Sequence, residues 1–289
     1  MKINGQKFKC QIIDGRRIAE RIHAKSCVTI GDESIEPGIA AILIGDDKAS
    51  NLYVNLKEQA CEDVKVNFNL YRFHESQSEE EIIETIKFLN TDPEVNAILV
   101  QLPLPSKFNE HKIIEAIDPK KDVDGFHPEN LKLLKEGKPE ILSPLALGVD
   151  AMIKETKIEL NDKKIAILSN HEFIAEPFKH LYGENNEVYH VSPKDNDAKD
   201  QCHDADILIV AIGQPLEVNN KYIKDDAVVI DIGINKLKDK TVGDVDFNNV
   251  MLKASFISPV PGGVGPLTIA FLIQNTIDLF HKQNSNEVS

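Results

Sequence analysis

The chain has 289 residues, enough for two domains of about 100–200 residues each. Hydrophobic residues make up 42% and charged residues 28%, the balance of an ordinary globular protein. Against 33 basic residues stand 47 acidic ones, a net charge of −14. Such a surface repels nucleic acid and anionic membranes, so neither is expected as a partner.

Arg17 to Ile30 has the spacing of an amphipathic helix, and IAAILIG (39–45) is a continuously apolar strand. Helical spacing returns from Ser50 to Glu62, and VKVNFNLYRF (64–73) alternates as a strand does. Ser78 with Glu81 three residues on is a capping-box pattern, opening a helix to about Asn90. NAILVQLPLP (96–105) is a buried strand that its prolines stop. A loop, KEGKPEILSP, precedes a helix expected from about Gly148 and marks a boundary near 140–150. Beyond it KKIAILS (163–169), EVYHVS (187–192), ADILIVAIG (205–213) and AVVIDIGIN (227–235) are short apolar strands, and Leu267 to Lys282 closes the chain as a helix. Apolar strands separated by helices predict an α/β protein with parallel sheets covered on both faces. Ligands of such sheets sit beyond the carboxyl ends of the strands, so the loops after 45, 101, 169, 213 and 235 are the places to look for chemistry.

Cys10, Cys27, Cys61 and Cys202 show neither C-x-x-C nor metal-ligand spacing, and read as small buried hydrophobes in a reducing compartment; no metal is expected. The opening MKINGQKFKCQIIDG has no apolar run of the signal-peptide kind, and no stretch reaches the ~20 apolar residues of a membrane span. A cytoplasmic location is expected.

Four stretches carry residues suited to chemistry. Within Ser50–Lys57, Tyr53 and Lys57 lie four apart and share one helix face, with Leu52, Leu56 and Ala60 as an adjacent apolar stripe. That stripe would set the lysine at the margin of buried surface, where desolvation lowers its proton affinity and suits it to shuttle protons near neutral pH. The plainer alternative is a solvated lysine beside a half-buried tyrosine. Gln101, ending a strand, can donate and accept hydrogen bonds together, or belong only to a strand-terminating loop. In K-D-V-D-G-F-H-P (121–128), two aspartates before a glycine suit a turn or an acidic site for a nitrogen-rich heterocycle. His127 before Pro128 reads as structural. In P-V-P-G-G-V-G-P-L-T (259–268), three glycines in four positions permit close approach of backbone to a ligand just before a helix.

In this order and at these spacings the blocks closely resemble the bifunctional methylenetetrahydrofolate dehydrogenase/methenyltetrahydrofolate cyclohydrolase family. ILIGDDKASNLYVNLKEQAC, NAILVQLPLP, AIDPKKDVDGFHPEN, ADILIVAIGQP, VVIDIGIN, VGDVDF and SPVPGGVGPLT all look like family blocks and span most of the chain. The resemblance implies two α/β domains with a cleft between them, the second a Rossmann-like parallel sheet. Residues 1–145 would form the folate-binding catalytic domain, joined by the 267–282 helix, and 146–266 the nucleotide-binding domain. It implies Lys57 as the central group of the cyclohydrolase step, Tyr53 holding and tuning it, Gln101 assisting through a hydrogen bond, and Asp124 anchoring the pterin. Val100, Leu102, Pro261, Gly262, Gly263, Gly265, Pro266 and Thr268 would line the folate site. The implied reaction is hydrolysis of 5,10-methenyltetrahydrofolate to 10-formyltetrahydrofolate, with NADP-dependent oxidation of 5,10-methylenetetrahydrofolate beside it. A homodimer is implied as well.

The nucleotide half departs from the pattern. Where the family writes G-R-S-x-x-V-G-x-P, this chain has Ser169-Asn170-His171-Glu172-Phe173-Ile174-Ala175-Glu176-Pro177. Its H-S-R/K-T becomes Val191-Ser192-Pro193-Lys194, and its P-C-T-P becomes Ser143-Pro144-Leu145-Ala146. Ser192 and Ile234 still match cofactor positions, and Ser169, Asn170 and His171 occupy the altered loop. A charge-assisted hydrogen bond contributes roughly 1.5–3 kcal/mol, so losing two phosphate contacts weakens NADP binding by about 10²- to 10⁴-fold unless Lys194 or His171 compensates. Three readings follow: a cyclohydrolase with reduced dehydrogenase activity, a complete bifunctional enzyme with an altered nucleotide site, and a non-catalytic folate-binding or regulatory paralogue.

Overall fold

The computed structural model describes residues 9–285, together with the backbone of a short antiparallel ribbon, Lys2–Ile3 against Gln6–Lys7. The opening segment searched for an apolar leader lies partly outside the described residues. The chain divides into two compact units, one of residues 20–144 with 269–289, the other of residues 1–19 with 145–268.

The first unit is built on a three-stranded parallel sheet in the order Asn67–Phe73, Gly38–Ile44, Ala97–Val100. Every residue of Gly38–Ile44 is buried, and the pleat explains why no alternation shows in the sequence. Ile39, Ala41, Ala97 and Leu99 point to one face, against Ala60, Cys61 and Val64 of the helix Lys48–Val64 and Leu272, Ile273 and Ile277 of the last helix. Ala40, Ile42, Ile44, Ile98 and Val100 point to the other, against Ile82, Ile86 and Leu89 of the helix Glu79–Thr91. That helix starts as its sequence predicts, with both bonds of the Ser78–Glu81 capping box in place. Asn67–Phe73 is the edge strand, and its alternating exposure matches its alternating sequence.

The second unit holds a six-stranded parallel sheet ordered Gln11–Ile12, Phe256–Ile257, Val228–Asp231, Ile207–Ala211, Lys164–Ser169, Glu187–Val191. Apart from the N-terminal edge strand, the order is the doubly wound 2-1-3-4-5, whose switch point lies between Lys164–Ser169 and Ile207–Ala211. Ala166, Leu168, Leu208, Val210 and Val229 pack on one side, while Ile165, Ile167, Ile207, Ile209 and Ile230 are equally buried at the alternate positions, so both faces are covered.

Several boundaries differ from the sequence reading. The strand expected over 96–105 ends at Val100, because the prolines beyond it cannot donate to a ladder. The strand over 227–235 ends at Asp231; the Gly233 amide turns back onto the Asp231 carboxylate, and Asn235–Leu237 with Lys240–Val242 forms a separate antiparallel hairpin. The helix expected from Gly148 begins at Pro144, whose fixed φ and missing N–H suit a first turn. The last helix begins at Val264, so Gly265 and Pro266 lie inside it rather than ahead of it.

The apolar stripe read on the Lys57 helix is corrected most. Leu52 and Leu56 are 58% and 46% exposed, whereas Ser50, Val54, Ala60, Cys61 and Val64 are buried. The buried seam runs Ser50, Val54, Cys61 and Val64, spaced i, i+4, i+11 and i+14, and the leucines sit on the far side of the helix from it. The cysteine reading is corrected at Cys27, which is exposed; Cys61 and Cys202 are buried, and all four are free. Among the described residues no helix is long and apolar enough to cross a membrane, and no cluster of three or more His, Cys, Asp or Glu could hold a metal.

Candidate active site

Asp47 caps the helix Lys48–Val64 by accepting the Ser50 amide at 2.8 Å, which holds its carboxyl below the usual carboxylate range. Lys57 follows two turns on. Its Nζ donates to Gln101 Oε1 at 2.9 Å, and Gln101 Nε2 donates to the Leu102 carbonyl at 2.7 Å. The second bond fixes which end of the amide faces the lysine. Gln101 is held in turn by its backbone amide, which continues the sheet ladder to Ile42. Burial pulls the Lys57 pKa down from 10.5, opposed by the negative charge of Asp124. Tyr53, half-buried on the same helix, has its phenol pushed up by burial. Val100 is buried at the strand end and Leu102 partly so.

Asp124 reaches this amine through a loop set by its neighbour. The Ile98 amide donates to the Lys121 carbonyl at 2.7 Å, so residues 121–123 run parallel beside Ala97–Val100 and carry Asp124 toward the end where Gln101 emerges. Asp122, 2% exposed, then folds the loop: Oδ1 accepts the Gly125 amide, and Oδ2 accepts the His127 amide at 2.7 Å and Asn130 Nδ2 at 2.9 Å. Gly125 takes φ +73°, which a side chain would strain. His127 is structural, as read: its Nδ1 accepts the Glu129 amide and caps the helix Pro128–Lys135. The Asp124 carboxyl is pushed up to about 6 by burial, with Lys57 pulling it down and Asp122 raising it. The structure therefore brings Lys57, Gln101 and Asp124 together at one end of one sheet.

In the second unit the glycine stretch packs backbone on backbone. A Cβ on Gly263 would lie 2.5 Å from the Pro259 carbonyl oxygen, and one on Gly15 would lie 1.9 Å from that of Gly263. At Gly265 a Cβ would meet nothing within 4 Å, so that glycine leaves open space. Thr268 donates its hydroxyl back to the Gly265 carbonyl. Pro261 is exposed, and Gly262 and Pro266 are partly so.

The switch point of the six-stranded sheet is bridged by Asn170, whose Nδ2 donates to the Ile212 carbonyl at 2.7 Å. Ser169 is fully buried, and its hydroxyl donates to the His171 carbonyl, shaping the loop from below. Glu172 and Glu176 both face Lys179, at 3.8 and 2.9 Å. The Ser192 hydroxyl accepts the Lys194 amide, and Ile234 is 48% exposed at the loop after Val228–Asp231. Gly213, at φ +67°, has nothing within 4 Å of where its Cβ would stand. That open cradle beside exposed Ile234 fits a dinucleotide in outline, while the loop 169–176 offers it acidic groups where phosphate oxygens need donors.

Sequence reasoning missed the residues that hold these loops. Asp244, fully buried, accepts the Ile212 and Gly213 amides at Oδ2 and Asn235 Nδ2 at Oδ1. Asp231 accepts the Gly233 and Asp244 amides at Oδ1 and the Val245 amide at Oδ2. Burial pushes its carboxyl up to about 7 against those bonds. Asn130 and Asn275 were missed too; a lone asparagine carries no spacing signal, whereas G-D-V-D (243–246) does offer one.

A half-buried amine–amide–carboxylate set in one unit and, in the other, an open parallel sheet with loops gathered at its switch point are the marks of an α/β enzyme. Residues 13–124 match the model of the tetrahydrofolate dehydrogenase/cyclohydrolase catalytic domain, and residues 143–284 match that of its NAD(P)-binding domain. The chain belongs to the tetrahydrofolate dehydrogenase/cyclohydrolase family. It is 42% identical over 273 residues to the bifunctional protein FolD of Nautilia profundicola, covering 92% of this chain and 95% of that one. Among solved structures, the bifunctional FolD of Campylobacter jejuni is similar at a TM-score of 0.90 and 35% identity, covering 95% of this chain and 99% of that chain. The Trypanosoma brucei dehydrogenase-cyclohydrolase, complexed with NADP cofactor and inhibitor, is similar at a TM-score of 0.90 and 29% identity, covering 95% and 98%.

Proposed function

We propose that this chain hydrolyses 5,10-methenyltetrahydrofolate to 10-formyltetrahydrofolate and oxidises 5,10-methylenetetrahydrofolate with NADP. Membership of a tetrahydrofolate dehydrogenase/cyclohydrolase family supports the folate enzyme as such. The observation that carries the hydrolytic step is the Lys57 Nζ to Gln101 Oε1 bond of 2.9 Å, with the charge of Asp124 acting on the same amine.

Hydrolysis adds water oxygen to the cationic methenyl carbon with loss of one water proton; the remaining O–H proton then leaves as the carbon–N5 bond breaks and N5 takes a proton, so that the formyl group is left on N10 and one proton is released overall. An amine whose pKa lies below 10.5 can take the first proton and return one. Gln101, locked by the Leu102 carbonyl, keeps the amine aimed, and Tyr53 lines the same helix face. Asp124 suits the pterin, whose amino and ring N–H groups form paired donors for one carboxylate. Val100 and Leu102 are assigned to the apolar wall. Pro261, Gly262, Gly263, Gly265, Pro266 and Thr268 are assigned to folate binding by the likeness of SPVPGGVGPLT to the family block.

The residues assigned to hold NADP are Ser192 and Ile234, with Ser169, Asn170 and His171 shaping the first loop. When bound, NADP supplies the hydride acceptor; the chain orients it through the strand-end loops that Asp231 and Asp244 tie together. The folate-binding domain is assigned to residues 1–145 with the 267–282 helix and the nucleotide-binding domain to 146–266; the unit divisions after 144 and 268 lie close to these bounds, whereas residues 1–19 group with the second unit and not with the first. Supply of 10-formyltetrahydrofolate to purine biosynthesis, a cytoplasmic location and a homodimer belong to the same reading. A non-catalytic folate-binding role gains no support from an intact Lys57–Gln101–Asp124 set.

The test is turnover of methenyltetrahydrofolate, followed by loss of its absorbance, in the wild type and in Lys57→Met. Full activity in the variant overturns the assignment.

A further inference from the structure

Asn275 lies in the last helix, Val264–Ser285, 3% exposed and facing the first sheet of its unit. Its Nδ2 donates to two carbonyls, Val123 and Leu142, each at 3.0 Å. Val123 is the residue before Asp124. Leu142 belongs to the segment that covers the next residue, since a Cβ on Gly125 would lie 3.5 Å from Ile141 Cγ2 and 3.7 Å from the Ser143 amide. One amide therefore clamps both strips of backbone that enclose Asp124–Gly125. A buried polar side chain with both amide hydrogens spent on the loop is costly to replace by an apolar one, because two carbonyls are left without donors.

We infer that Asn275 is a positioning residue for the pterin site: it fixes the height and direction of the Asp124 carboxylate from a helix position whose own hydrogen bonds go only to loop backbone. The inference rests on the folate reading above for its kinetic consequence, and on geometry alone for its structural one. Asp122 holds the loop from within; Asn275 holds it from outside, and the two share no hydrogen bond.

The charged groups that act on Asp124 are Lys57 of the helix Lys48–Val64, which lowers its titration, and Asp122 of its own loop, which raises it; Cys61 of that helix acts on Lys57. Burial is the largest influence on the Asp124 carboxyl, so loosening the loop lets water in and lowers its titration toward that of a free carboxylate.

The experiment compares the wild type with Asn275→Leu, with Thr276→Val as the control. Thr276 is equally buried on the same helix, but its hydroxyl donates to Leu272 within the helix and not to the loop. Hydrogen exchange of the peptide spanning 122–127 reads the positioning directly: faster in Asn275→Leu, unchanged in Thr276→Val. In turnover of methenyltetrahydrofolate, Asn275→Leu should raise KM about tenfold with kcat within a factor of about two, and shift the acid limb of kcat/KM to lower pH. Thr276→Val should lower the melting temperature while leaving KM and the pH profile alone. Should Asn275→Leu fail to fold, Asn275→Ser, whose hydroxyl still serves one carbonyl, carries the same comparison. Unchanged exchange across 122–127, or an equal KM rise in Thr276→Val, overturns the inference. A wild type without cyclohydrolase activity but with the exchange difference overturns the folate reading and leaves the clamp standing.

Discussion

Asp122 and Asp124 stand two residues apart and are set to opposite tasks. The Asp122 carboxylate accepts two backbone amides and one side-chain amide and is spent on the loop, while Asp124 is raised by burial to about 6 and faces the Lys57 charge. Environment alone separates them, one as scaffold and one as an acid held against the Lys57 charge.

Removing the scaffold therefore costs both stability and function. Asp122→Ala leaves the Gly125 and His127 amides without an acceptor and removes one of the two acceptors of Asn130 Nδ2, the Pro119 carbonyl remaining, and should destabilise the fold by about 3 kcal/mol. Urea unfolding measures this, and folate KM should rise as well. A loss under about 1 kcal/mol contradicts the account.

Asp124 has the reverse effect on stability. Its folded pKa of about 6 lies above the ordinary carboxyl value of 3.8, so between those values the folded state binds more protons than the unfolded one. Stability contributed by the neutral form is thus lost as pH rises from about 4 through about 6. Asp124→Asn removes that titration. Its melting temperature relative to wild type should climb across this window and level off above it, while folate binding falls. A difference that stays flat from acid to neutral pH rules the shift out.

Asn170 closes the switch point where a dinucleotide needs donors. Asn170→Arg breaks the bond to Ile212 and places a guanidinium beside the loop, and should tighten NADP binding by about tenfold, one charge-assisted contact's worth. Calorimetric titration with NADP, or titration with NADPH followed by its dihydronicotinamide fluorescence, reads it directly. Weaker binding in the variant shows that the Asn170–Ile212 bridge shapes the pocket instead of blocking it.

Much of this was legible from residue order. Gly38–Ile44 and Lys164–Ser169 were readable because both faces are covered, which produces unbroken apolar runs. The Ser78 capping box and the Lys57, Gln101 and Asp124 positions were legible from local pattern and from family likeness. The face of Leu52 and Leu56 was misread because helical periodicity fixes which residues share a face, not which face is buried; Cys61 and Ala60 compete with them for the core. Asn275, Asp231 and Asp244 stayed invisible because each acts on backbone distant in sequence, and a backbone carbonyl or amide has no letter of its own. The 2-1-3-4-5 order likewise depends on which strands pair, which composition does not record.

The two ends of the chain each belong to the unit built mostly by the other half. Gln11–Ile12 pairs with Phe256–Ile257, nearly the whole chain away, while residues 269–289 supply Ile273 and Ile277 to the core laid down by residues 20–144. A ribosome therefore releases the catalytic half with one wall missing, and the final helix must thread back before that half is sealed. Folding of the unit of residues 20–144 waits on synthesis of the helix beyond 268, so a nascent chain stopped short of 269 should remain sensitive to protease over its first half, however long it is given.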